Sequence, residues 1–99
     1  MQSTLKKENG TLCITVSGRL DTITSATLKE DLDKEGYDNV DIDFDFKDIE
    51  YISSAGLRLV LALHKQTVET GNKLTIRNIN SVVSEIFKVA GFNKALNIV

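Results

Sequence analysis

Asp48-Ile49-Glu50-Tyr51-Ile52-Ser53-Ser54-Ala55-Gly56-Leu57-Arg58 is the stretch on which the fold of this chain turns. An acidic turn leads through apolar residues into two serines, and Ala-Gly-Leu-Arg then opens an amphipathic run through Val68. Small polar residues directly before helical periodicity are the usual N-cap signal. A serine hydroxyl at that place lies among unpaired backbone N–H groups at the positive end of the helix dipole, where an added phosphate is stabilised. The residues by themselves leave two readings of Ser54 open: a helix cap, or a phosphoacceptor presented at a helix start.

Upstream of the serines, Asn39 to Phe46 alternates Val40, Ile42, Phe44 and Phe46 with Asp41, Asp43 and Asp45. This predicts a strand with one apolar and one solvated face. The three carboxylates would be about 7 Å apart along one face. That is too spread for one cation, so no metal site is expected. Downstream, the helix is predicted from about Ser54 to Thr70, with Leu57, Val60, Leu61, His64 and Val68 on one face and Leu59 and Leu63 toward another. Leu57 and Leu59 stand as either a partner patch or packing residues. Gly71-Asn72 stops the helix, and Lys73 to Arg77 reads as a short strand.

Asn9-Gly10 is a two-residue hairpin signal joining strands at about Thr4 to Glu8 and Thr11 to Ser17. In the second, Leu12, Ile14 and Val16 share one face, with Cys13 and Thr15 on the other. Gly18-Arg19-Leu20-Asp21 is expected to break it. Asp21 or Thr22 then caps a helix to about Lys34, with Ile23, Ala26, Leu28 and Leu32 as its apolar positions and Gly36 as its stop. Asn80 or Ser81 caps a third helix to about Ala90, built on Val82, Val83, Ile86, Phe87 and Val89. A last strand is expected within Leu96 to Val99. The predicted order is β-β-α-β-α-β-α with a closing β. This is a single α/β domain over residues 1–99, with a mixed sheet of about four to five strands, a hairpin at the edge and three main helices.

The 99 residues suffice for one core, and 41% hydrophobic with 26% charged content is ordinary for a globular protein. A net charge of −2 provides no basic footprint for nucleic acid and no polybasic segment for an anionic membrane. One cysteine and one histidine exclude an internal disulfide and argue against zinc. Cys13 is expected to be a buried thiol. With no signal-peptide pattern and no apolar run of about 20 residues, a cytoplasmic location is the default.

Four pieces together resemble the STAS domain, and within it the free-standing bacterial anti-sigma-factor antagonists. Gly18-Arg19-Leu20-Asp21-Thr22 is similar to the segment between the family's second strand and first helix. Ile42-Asp43-Phe44 leading to Ile52-Ser53-Ser54-Ala55-Gly56-Leu57 is similar to its central strand, turn and phosphoacceptor helix. Gly71-Asn72-Lys73-Leu74 and Val82 to Gly91 with Phe92 resemble the turn into strand four and the closing helix.

The resemblance implies an antagonist that binds an anti-sigma factor when unphosphorylated, and so frees sigma factor. The anti-sigma factor is also a serine kinase of the histidine-kinase-like ATPase fold. It phosphorylates a residue at the start of helix two, which abolishes binding, and a metal-dependent serine phosphatase reverses the step. By motif position the phosphoacceptor is Ser54. Asp21, Thr22, Ser53, Ala55, Gly56, Leu57 and Arg58 become contacts for the partner kinase. Two departures stand out: Ser53 occupies a place where many members carry Asp, and Arg58 one where glycine is common. Ser53 is thereby a competing acceptor. Arg58, one turn from Ser54, is either a phosphate partner or a solvated helix residue. Asp21, in the loop expected to approach the serine turn across the ends of neighbouring strands, is either a kinase contact or only a helix cap.

No enzyme is expected. There is no G-x-S-x-G and no P-loop, and His64 lies nearly three turns, about 15 Å, beyond Ser54 along the helix. It is expected to be a packed or half-exposed helix residue. No cofactor is implied, and a monomer suits a one-to-one competitor. The competing functions are a STAS subunit of another assembly, such as a stressosome or a lipid-transport complex, and a small nucleotide-binding protein resting on the Asp21 and Ser54 loops.

Overall fold

The computed structural model describes residues 2–92 and 94–99. Its elements are β1 (Gln2–Glu8), β2 (Thr11–Leu20), α1 (Thr22–Glu35), β3 (Asp41–Asp45), β4 (Ile49–Ile52), α2 (Ser54–Glu69), β5 (Leu74–Arg77), α3 (Ser81–Val89) and β6 (Asn97–Ile98). Asn9 and Gly10 both take positive φ, 51° and 80°, and turn β1 back antiparallel onto β2. Asn tolerates that region and Gly favours it, which is why Asn-Gly makes this hairpin. The sheet runs β1-β2-β3-β5-β6, every pair after the first being parallel.

Six strands form where about four to five were expected, because β4 lies within the stretch read as a turn. Its exposure pattern explains the omission. Ile49 and Ile52 are buried, while Glu50 and Tyr51 between them face outward, so there is no alternation to detect. Nor does Gly18 end the second strand: β2 continues to Leu20. Thr11 to Thr15 pair with β3; then the register shifts at Gly18/Arg19, and Gly18 to Leu20 pair with β4. Gly18 has φ 90°, a backbone that a side chain would strain, and its N–H donates to the Asp48 carbonyl at 2.9 Å.

One face of the sheet is apolar and covered. Leu12, Ile14, Val16, Ile42, Phe44, Leu74 and Ile76 join Leu28 and Leu32 of α1, Val60 and Leu63 of α2, and Val83 and Phe87 of α3 in one buried cluster. Each such side chain contributes about 1.5–3 kcal/mol by leaving water. The other face carries Cys13, Thr15 and the three aspartates, as their alternation predicts. Asp43 holds the Arg77 Nε through both carboxylate oxygens at 2.9 and 2.8 Å, Asp41 accepts from the Lys73 N–H, and Asp45 accepts from Lys47 and Asn78. The carboxylates thus bind the sheet's own donors. Cys13, on that face, is only partly buried, against expectation, because no helix covers it.

The helices keep their predicted spans and turn differently. In α1 the buried stripe is Ser25, Leu28 and Leu32, spaced three and four apart. Ile23 lies outside it and is 77% exposed. In α2 the buried set is Gly56, Leu57, Leu59, Val60, Leu63 and Thr67. Leu57 and Leu59 are buried, Val68 is exposed, and Leu61 and His64 are half-buried. In α3 only Val83 and Phe87 are buried.

Candidate functional site

The serine turn stands where β2 and β4 both end. Leu20 and Ile52 are register partners, and the Ser53 N–H donates to the Leu20 carbonyl at 2.9 Å. Asp21 and Ser53 are thus the next residues on two adjacent parallel strands, and each begins a helix. This is the meeting of the two loops that the sequence suggested, and the short strand missed in the sequence is what creates it.

Asp21 caps α1. Its carboxylate accepts from the Ile23 N–H at 3.1 Å and the Thr24 N–H at 3.0 Å, and the Thr24 hydroxyl accepts from the Asp21 N–H at 2.8 Å. The pair is a capping box closed on Thr24. The Thr24 backbone N–H, then its hydroxyl, hold the Asp21 carboxyl below the usual aspartate range.

Ser53, not Ser54, caps α2. Its hydroxyl accepts from the Gly56 N–H at 3.4 Å. Ser54 is the first helical residue and is exposed. Reading Ser54 as the helix cap is therefore corrected: the cap lies one residue earlier, and the Ser54 side chain sits in solvent at the dipole's positive end. Thr22 and Arg58 are exposed and Ala55 is half-buried.

Gly56 and Leu57 are buried. A Cβ on Gly56 would lie 2.6 Å from both the Leu20 carbonyl oxygen and Ile52 Cγ1. Glycine there lets the first turn of α2 lie directly on the strand ends, which fixes how far Ser54 projects. Gly56 has no side chain to offer a partner.

Beyond Ser54 lies a feature the sequence did not reveal. An open groove of about 940 Å³ runs from the serine between β4, the start of α2 and α3. Tyr51, Ser54, Val82, Glu85, Ile86 and Val89 line it. Asn80 sets the α3 wall: its amide donates to the Ile49 carbonyl at 2.8 Å while its oxygen caps Val83 at 2.8 Å. The Arg19 guanidinium lies 4.5 Å over the Tyr51 ring and pins that wall. The available signal was in α3, where Val82, Ile86 and Val89 form a second apolar stripe beside Val83 and Phe87.

Comparison with known proteins places this arrangement. The STAS domain family model matches residues 2–99. The chain belongs to the STAS domain family. BtrV of Bordetella bronchiseptica, a candidate anti-sigma factor antagonist, is 31% identical over 97 residues, covering 93% of this chain and 80% of that protein. The anti-sigma-B factor antagonist of Bacillus subtilis is 21% identical over 94 residues, covering 95% of this STAS chain and 86% of the relative. The fold matches the unphosphorylated form of the anti-sigma factor antagonist SpoIIAA with a TM-score of 0.81 at 18% identity, over 99% of this chain and 88% of that one.

Proposed function

We propose that this STAS domain is an anti-sigma factor antagonist switched by phosphorylation of Ser54. In the unphosphorylated form it binds an anti-sigma factor that is also a serine kinase of the histidine-kinase-like ATPase fold, and sigma factor is released. The observation that carries this is the division of labour between the two serines. Ser53 holds the helix start, which leaves the Ser54 hydroxyl exposed and structurally unneeded. The names of its relatives support the antagonist role.

In the transfer, Ser54 Oγ bonds to the γ-phosphorus of ATP, ADP leaves, and the hydroxyl proton passes to a base on the kinase. The product gains about −1.5 to −2 charges at a side chain that was neutral. The α2 dipole tolerates them, so the fold is retained. Desolvating that charge at a contact surface without a cation is costly, so binding is lost. Water attack at the phosphate, by a metal-dependent phosphatase, restores the serine. Asp21 and Thr22 on the adjoining turn, with Ser53, Ala55 and Arg58 at the start of α2, are the contacts we assign to the partner kinase.

Intact mass and site mapping test this. The chain is incubated with ATP and each histidine-kinase-like anti-sigma protein of its genome, as wild type, Ser54→Ala and Ser53→Ala. One phosphate lost only in Ser54→Ala is expected. Loss only in Ser53→Ala moves the acceptor by one residue. No phosphate from a kinase that binds the chain refutes the switch and favours a scaffold STAS subunit.

A further inference from the structure

Helix α3 is apolar on two sides. Val83 and Phe87 face the core. Val82, Ile86 and Val89, spaced four and three apart, form a separate stripe that lines the groove beside Ser54. Val82 is 57% and Val89 80% exposed, while their helix neighbour Val83 is fully buried. With Tyr51 they make half of the large hydrophobic side chains that stand exposed among the described residues. An apolar stripe at i, i+4, i+7 that its own fold leaves uncovered has the geometry that receives a helix from another protein.

We infer that this groove docks an amphipathic helix of the anti-sigma kinase, one carrying a basic residue opposite Glu85. The inference rests on the Ser54 reading and deepens it. Ser54 is on the groove's rim, so a kinase that places its active centre over that hydroxyl necessarily covers the adjoining surface. Glu85 is the single charged side chain lining the groove among the described residues, which selects a cationic counterpart. Tyr51, held under Arg19, supplies the rigid aromatic anchor typical of binding hot spots. A second copy of the chain seated there would hide Ser54 from the kinase, so a self-interface is disfavoured. The groove also gives the switch its mechanism. A phosphate on the rim places charge at the edge of the apolar contact, where an incoming helix must strip its water.

The test uses the full chain and each purified histidine-kinase-like anti-sigma protein of its genome. Binding is measured by titration calorimetry and phosphorylation by steady-state kinetics. The variants are Val82→Asp, Val89→Glu, Glu85→Lys and Ser54→Asp. Both valines are solvent-exposed, so their replacement preserves the fold, with circular dichroism as control. The expected result is binding weakened about tenfold or more by each groove variant. The KM for phosphorylation should rise while kcat is kept, because Ser54 is untouched. For Glu85→Lys the loss should shrink as salt is raised. If Ser54→Asp abolishes binding but the groove variants bind as wild type, the groove inference is overturned and the Ser54 switch stands. If the groove variants lose binding while Ser54→Asp keeps it, docking stands and the switch falls. Wild type that binds none of the kinases overturns both. A concentration-dependent dimer abolished by Val89→Glu overturns the inference in favour of a second copy.

Discussion

The α-carbon of Gly56 faces the carbonyl of Leu20 so closely that a single added methyl would stand 2.6 Å from that oxygen. In an ordinary exposed helix, Gly→Ala gains about 1 kcal/mol. Here the obstacle is backbone, which cannot rotate away. We expect Gly56→Ala to destabilise by about 1–3 kcal/mol, the usual cost of overpacking. Urea denaturation decides: a midpoint raised by the substitution would mean that α2 does not rest on the end of β2.

The two serines should separate in a stability measurement. Ser53→Ala removes a cap and should cost about 0.5–1 kcal/mol, the low end for N-caps because the bond is long at 3.4 Å. Ser54→Ala removes an exposed hydroxyl and should stay within about 0.5 kcal/mol of wild type. Thermal unfolding of both variants checks this. Equal losses would assign the cap to the wrong residue.

Asp21 should contribute to the acid limb of stability. The Thr24 backbone N–H and hydroxyl lower its pKa in the folded state. A carboxyl with a depressed folded pKa stabilises fully above its unfolded pKa, and this is lost as pH falls through the unfolded and then the folded value. Asp21→Asn keeps a capping side chain but cannot titrate. Its unfolding midpoint should therefore fall less than that of wild type as pH is lowered below the ordinary aspartate range. Parallel pH profiles for the two proteins would remove Asp21 from the account.

The two faces of α3 should respond oppositely to truncation. Phe87 is fully buried, with its ring edge-to-face on Phe46 at 5.9 Å. Phe87→Ala should cost about 3–5 kcal/mol. Val89→Ser, on the exposed stripe, should change stability by no more than about 0.5 kcal/mol. Chemical denaturation of the pair is decisive; a large loss in Val89→Ser would mean that its face is covered in the folded chain.

Several elements were legible because their signals are local. Asn9-Gly10 specifies its turn through backbone preference. The alternation from Val40 to Phe46 specifies a strand with one wet face. Polar residues before periodic apolar runs marked three helix starts. The serine turn was found for the same reason, since two small hydroxyl residues before a helix need no knowledge of distant chain. Other features depended on what lies across the fold. β4 carries no period because its middle residues face outward, and it is a strand only because the end of β2 pairs with it. Val82 and Val89 belong to the same apolar set as Val83 and Phe87 in the sequence. Which of them are covered is set by the angle at which Asn80 ties α3 to the Ile49 carbonyl.

By itself, the sequence determined the order of the helices and of every strand but β4, the polar and apolar faces of the sheet, and the residues at the switch-like turn. Dihedral preference, period and capping act over a few residues and are written there directly. Only the tertiary structure decided that Ser53 rather than Ser54 caps α2, that a short β4 paired with the end of β2 is what brings the Asp21 and Ser53 turns together, and that an apolar groove opens beside Ser54. Each of these depends on the second half of β2 exchanging β3 for β4 at Gly18. That exchange joins segments some thirty residues apart and is fixed by hydrogen bonds and close packing that no local pattern records.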